Sequence, residues 1–87
     1  MDKQIEKILD RAKQLIRASL FQKSTGSDVV AIAITEGKVY GLLEAARLLT
    51  VRVDDPIDGT FASDSFTWDF EGIYRNNVKV REIKEVK

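Results

Sequence analysis

Six carboxylates crowd residues 51–75: Asp54, Asp55, Asp58, Asp64, Asp69 and Glu71. Paired carboxylates can share a proton, or hold magnesium or calcium through oxygen, so acid–base or metal chemistry would have to reside here. The chain has no His and no Cys. That removes the commonest general base, every thiolate nucleophile and nearly all zinc sites, and it makes Ser-His-Asp catalysis impossible. What is left is carboxylate, hydroxyl, Tyr or Lys chemistry.

Each candidate constellation meets a simpler reading. A calcium loop takes acidic or amide side chains at its first, third and fifth positions and Glu at its twelfth. Counted from Asp54, the third position is Pro56 and the twelfth is Ser65, so Asp54 to Gly59 reads as a solvated acidic turn. Asp69 and Glu71, two residues apart, read as the exposed side of a half-buried strand. Ser24-Thr25-Gly26-Ser27 lacks the Gly-x-x-x-x-Gly-Lys frame of a phosphate loop, and its Lys23 stands on the wrong side. A carboxylate–metal hydrolase built on Asp54, Asp58, Asp69 or Glu71 is therefore the weakest functional reading, and no metal, cofactor or small-molecule ligand is expected.

Basic side chains gather at the two ends. Lys3, Lys7 and Arg11 recur every four residues, and Lys79, Arg81, Lys84 and Lys87 close the chain. Together they would make a nucleic-acid contact if the fold set them side by side. Asp2, Glu6, Asp10, Glu82 and Glu85 are interspersed and dilute that field. Phe66, Trp68 and Phe70 have the alternation of a base-stacking platform, but Asp64, Asp69 and Glu71 around them repel phosphate, and a small domain needs its large aromatics inside.

The elements that must position these residues follow from periodicity. Ile5, Ile8, Leu9, Ala12, Leu15, Ile16, Ser19 and Leu20 repeat at helical spacing, so an amphipathic helix is predicted over 3–21, with Asp2 as its N-cap and a break near Phe21. Residues 23–28 read as a loop. Val29 to Thr35 is β-branched and apolar on both sides, which predicts a central strand covered on both faces. Residues 36–49 allow two readings: a tight turn at Glu36-Gly37 returning through a short strand at Val39-Tyr40 and then a helix over 42–49, or one helix capped by Thr35 and running to Leu49, since Val39, Leu42, Leu43, Ala46 and Leu49 keep helical spacing. Gly37 and Gly41 each weaken the longer helix by about 1 kcal/mol relative to Ala, which favours the short strand followed by the second short helix, 42–49. A short strand follows at Thr50 to Val53, then the acidic loop 54–59. Phe66 to Phe70 alternates as a strand, Gly72 marks a bulge before Ile73 and Tyr74, Arg75-Asn76-Asn77 is a turn, and Val78, Val80, Ile83 and Val86 form the last strand. The assembly expected is one α+β domain spanning 1–87, with two helices packed on a mostly antiparallel sheet of 4–5 strands and a C-terminal β-hairpin. Leu15, Ile34 and Trp68 are expected to meet in its core.

The 87 residues are 44% hydrophobic and 32% charged, with 14 basic and 14 acidic side chains and a net charge of zero, the balance of an ordinary globular domain. Net charge runs +3 over residues 1–23, −1 over 24–50, −4 over 51–75 and +2 over 76–87. Zero net charge argues against nonspecific binding to nucleic acid or membrane as the main task. No apolar run is long enough to cross a bilayer. With no secretion signal and no cysteine to staple a small secreted domain, a cytoplasmic location is expected. The function expected by elimination is a small non-enzymatic protein-binding or regulatory module, with a homodimer as one form of that partnership. Small accessory proteins of phages and mobile elements share this description. The acids Asp54, Asp55, Asp58 and Asp64 are its expected partner-facing residues. The alternative is a nucleic-acid-binding accessory protein using Lys3, Lys7, Arg11, Lys79 and Arg81.

Overall fold

Helix α1 (Asp2–Ser24) and helix α2 (Val29–Leu49) form an antiparallel pair that carries the rest of the molecule. The computed structural model describes residues 2–83. Ile5, Leu9, Ala12, Ile16 and Ser19 of α1 are buried, as are Val39, Leu43 and Ala46 of α2. The alternating four- and three-residue steps keep each set on one stripe, so the two stripes interdigitate along a seam. Ala12 and Ala46 are fully buried, which lets the helices approach closely. Gly26, at φ 75°, reverses the chain between them.

The predicted central strand at Val29 to Thr35 is the first two turns of α2. Asp28 decides this. Its side chain caps the helix by accepting the Val30 N–H at 3.0 Å, and its carbonyl accepts the Ile32 N–H at 3.1 Å. Twenty-one residues of intrahelical hydrogen bonding, with one stripe packed on α1, outweigh the β-branched run and the penalties at Gly37 and Gly41. The short strand favoured at Val39-Tyr40 and the short helix over 42–49 are both parts of the same element, so over residues 36–49 the alternative of one continuous helix to Leu49 holds. Helix α1 likewise runs past Phe21 to Ser24, with Phe21 exposed.

Among the described residues five strands follow, and each of their pairings is antiparallel. β1 (Arg52–Asp55) and β2 (Thr60–Ala62) form a two-stranded sheet, while β3 (Phe66–Trp68), β4 (Gly72–Arg75) and β5 (Val78–Glu82) form a meander. The α+β class and the antiparallel pairing are as expected; the strands divide between two sheets rather than joining in one. Asp54 and Asp55 belong to β1, so the acidic loop begins at Pro56, and β2 was not foreseen. The bulge near Gly72 falls between Ile73 and Tyr74. Asn76 and Asn77 take φ 52° and 68°, the left-handed pair that a two-residue hairpin turn requires. Val86 lies outside the described residues.

The meander lies against the helix pair as a second layer. Ile73 (0% exposed) and Ile83 (2%) complete the core, with Phe66, Trp68, Phe70 and Val80 packed around it. Trp68 stacks obliquely on Tyr40 of α2 at 5.6 Å and edge-on to Phe70 at 5.4 Å, and Lys23 sits 4.1 Å over the Phe70 ring. Of the three residues expected to meet in the core, Leu15 and Trp68 are half-buried against it, but Ile34 is 57% exposed because its helical position points away from α1.

Ile16→Ala should lower the unfolding free energy by about 2–5 kcal/mol, since it empties a fully buried site in the seam. Gly72→Ala should also destabilise, by roughly 1–3 kcal/mol, because the new Cβ would lie 2.5 Å from the Arg81 carbonyl oxygen. Urea unfolding monitored by circular dichroism measures both; an unchanged midpoint for Ile16→Ala would remove the seam from the core.

Candidate functional site

The four acids singled out as partner-facing separate into two groups. Asp54, Asp55 and Asp58 belong to the β1–β2 hairpin, which among the described residues meets no other helix or strand. Asp55 Oδ1 accepts the backbone N–H of Ile57 at 2.9 Å and of Asp58 at 3.3 Å, closing the turn from within. These N–H groups, Ile57's first, hold the Asp55 carboxyl below the usual carboxylate range. Asp54 and Asp58 are exposed beside it. Gly59 takes φ 70° and returns the chain to β2.

Asp64 does different work. Its carboxylate accepts the Arg75 guanidinium at 2.7–2.8 Å and lies 3.3 Å from Arg52, while its backbone N–H donates to Thr50 Oγ1 at 2.8 Å. Thr50 in turn caps the end of α2 by donating to the Arg47 carbonyl at 2.7 Å. The Arg75 hydrogen bond, chiefly, keeps Asp64 ionised to lower pH than a free aspartate. Asp64 thus ties the foot of the hairpin to β4 and to the end of α2.

Asp69 and Glu71 do not share a strand face. They sit in the turn between β3 and β4, where Asp69 Oδ1 accepts the N–H groups of Glu71 (2.8 Å) and Gly72 (3.0 Å) and the Asp69 carboxylate takes the Tyr74 hydroxyl at 3.2 Å. Those donors, the Glu71 N–H first, lower the Asp69 pKa. Asp54 lies on a strand of the other sheet and Asp58 in the turn that joins its two strands. Among the described residues no three potential metal-ligating side chains gather at one point.

The basic residues also part company. Lys3, Lys7 and Arg11 are exposed on α1, with Arg11 donating to Gln14 at 3.3 Å. Arg81 is turned onto α1, paired with Glu6 and, at 2.9 Å, with Asp10. Burial opposes the Arg81 charge, but the two carboxylates outweigh it and raise its pKa. Lys79 pairs with Glu82 at 3.3 Å. The charge of β5 is thus spent within the fold rather than added to the α1 stripe. Lys84 and Lys87 lie outside the described residues.

Two features escaped the reading of the sequence. Ser19, fully buried, donates its hydroxyl to Glu36 Oε2 at 2.8 Å across the helix seam, and Lys23 reaches the same oxygen at 3.2 Å. The Ser19 bond, before Lys23, lowers the Glu36 pKa. Only the helical assignment of residues 29–35 brings Glu36 opposite Ser19.

The second feature is α2's outer side. Val30, Ile34, Gly37, Gly41 and Leu48 share the side opposite the seam. Val29, Val30, Ile34 and Leu48 are 78%, 63%, 57% and 57% exposed, and nothing stands within 4 Å of a Cβ added at Gly37 or Gly41. Val53, Ile57 and Phe61 of the hairpin are exposed as well. Between α1 and α2, Arg11, Leu15, Lys38, Gly41 and Leu42 line an open groove of about 430 Å³. Among the described residues no helix is long and apolar enough to cross a membrane.

Compared with family models, curated proteins and solved structures, the chain has no match.

Glu36 and Asp64 have folded-state pKa values below their unfolded ones. Their contribution is present above the ordinary carboxylate range and is lost as pH falls through the depressed values. Stability should therefore stay level from neutrality to about pH 5 and fall below about pH 4. Asp64→Asn should start lower and show a shallower acid fall. Urea midpoints across pH measure this; the same acid slope in variant and parent would deny Asp64 its role.

Proposed function

We propose that this domain is a small non-enzymatic protein-binding or regulatory module of the cytoplasm, and that its binding face is the outer side of α2. The supporting observation is that α2 carries exposed apolar side chains, Val30, Ile34 and Leu48, on the side opposite the seam as well as buried ones within it, although α1 and β3 cover only part of the helix. A helix hydrophobic on all sides is ordinarily buried, and large contiguous apolar patches on soluble domains mark interaction sites. Val30, Ile34 and Leu48 supply the apolar contact, and the bare backbone at Gly37 and Gly41 permits close approach. Helix propensity alone would favour Ala at both glycines.

A catalytic role draws no support from the carboxylates, whose positions follow local turn and ion-pair needs. Nucleic-acid binding is the weaker alternative: Lys3, Lys7 and Arg11 are exposed, but Lys79 and Arg81 are engaged with Glu82, Glu6 and Asp10. A stripe of three cations on one helix, within a chain of zero net charge, gives little long-range attraction.

Affinity capture from the source cells, with the tagged parent and with Ile34→Asp, tests the proposal. Ile34 is exposed, so the variant should keep its fold and melting temperature while losing the proteins the parent retains. Equal capture by both, or retention of nucleic acid by the parent in place of protein, would overturn the reading.

A further inference from the structure

The β1–β2 hairpin is an anomaly of packing. A two-stranded hairpin with nothing against either face is marginal in water. This one pairs Val53 with Phe61 across the strands, leaves both exposed, and carries Ile57 in its turn at 93% exposure. Among the described residues no other helix or strand meets it. It carries Asp54, Asp55 and Asp58 and, between Val53 and Ser63, no basic residue at all. Arg52 at its foot is already paired with Asp64. The hairpin is thus an apolar arm with an acidic tip.

The groove between α1 and α2 has the opposite character. Its apolar lining is Leu15, Leu42 and the bare backbone of Gly41, and its charged lining is Arg11 and Lys38, both cationic. Lys7, exposed one helical turn before Arg11 on α1, adds positive charge to the same stretch of that helix. The groove runs along the flank of the outer side of α2, and its roughly 430 Å³ has room for a few side chains.

We infer that the acidic hairpin of one copy seats in the basic groove of a second copy, and reciprocally, making a two-fold homodimer. Charge complementarity selects the occupant. The acid-flanked Ile57 matches an apolar lining beside cations, and the two halves of the contact lie on the same chain without meeting within it. A reciprocal exchange satisfies both halves at once, as a two-fold interface requires. It also covers the one part of the fold that has no core of its own. Opposite charges at the rim make the association faster and salt-sensitive. The inference rests on the protein-binding reading and names the partner for the flank of that same face.

Sedimentation velocity across a dilution series, at low and at high salt, is the test. The parent should be a dimer that weakens as salt rises. Ile57→Ser, a change at a residue outside the folded core, should raise the dimer dissociation constant roughly tenfold to hundredfold. Two charge-reversed variants sharpen the result. Arg11→Glu with Lys38→Glu gives an acidic groove facing an acidic hairpin. Asp54→Lys with Asp58→Lys gives a basic groove facing a basic hairpin. Each should be monomeric alone, and the two should form a heterodimer when mixed, because both contacts are then restored. A parent that stays monomeric at high concentration overturns the inference, as does a dimer indifferent to Ile57→Ser and to both reversals. A monomeric parent that still captures a different protein through Ile34 would overturn self-association alone and leave the binding reading standing; capture insensitive to Ile34→Asp overturns that reading instead.

Discussion

The seam between α1 and α2 is the constraint on which everything else depends. Each helix depends on the other: α1 has one apolar stripe and a highly charged outer side, and most helical stability in a folded protein comes from packing such a stripe rather than from propensity. Packed together, they bury Ile5, Leu9, Ala12 and Ile16 against Val39, Leu43 and Ala46. The meander then has a surface to lie on, and Ile73 and Ile83 complete the same core. In a chain this small there is no second core to compensate if the seam is lost. The Ser19–Glu36 hydrogen bond, reached also by Lys23, marks one end of the seam and gives it register, because a slip of α2 along α1 would leave a buried hydroxyl without its acceptor.

Charge organises what the seam supports. Arg81 fastens β5 to α1 through Glu6 and Asp10, which lie more than 70 residues away in sequence. Asp64 gathers Arg52, Arg75 and Thr50 where the hairpin, the meander and the end of α2 converge. The zero net charge of the chain therefore conceals a division. Some charges are matched inside the fold, and others, on the hairpin and along α1, face outward. The proposed binding role rests on that outward division together with the apolar side of α2.

How legible was this in the sequence? The first helix was, because a charged and an apolar side alternate at helical period from Ile5 to Leu20. The C-terminal hairpin was too, because Asn76-Asn77 permits positive φ where few residues do and because Phe66, Thr67 and Trp68 alternate cleanly. The second helix was not. Val29 to Ile34 carries no polar side to set a period, so helix and buried strand look alike, and the β-branched residues tilt the choice toward strand. Asp28, a capping residue directly before the run, was the available signal. The same error hid the outer face of α2: residues read as a covered strand are in fact exposed side chains on a helix. The acids were correctly seen as crowded, but only the fold separates Asp64, engaged by two arginines, from Asp54 and Asp58 on the arm. No local pattern announces a partner so far away in sequence.

Amide hydrogen exchange read residue by residue in dilute solution tests the primacy of the seam most directly. Amides open with free energies that range from near zero to the global unfolding value, and the slowest mark the cooperative core. The amides of Leu9 to Ile16, of Val39 to Ala46 and of Ile73 should be the slowest in the protein and should share one opening free energy, equal to that of global unfolding. Seam amides that exchange as fast as those of the β1–β2 hairpin, or a slowest set confined to the meander, would contradict the account.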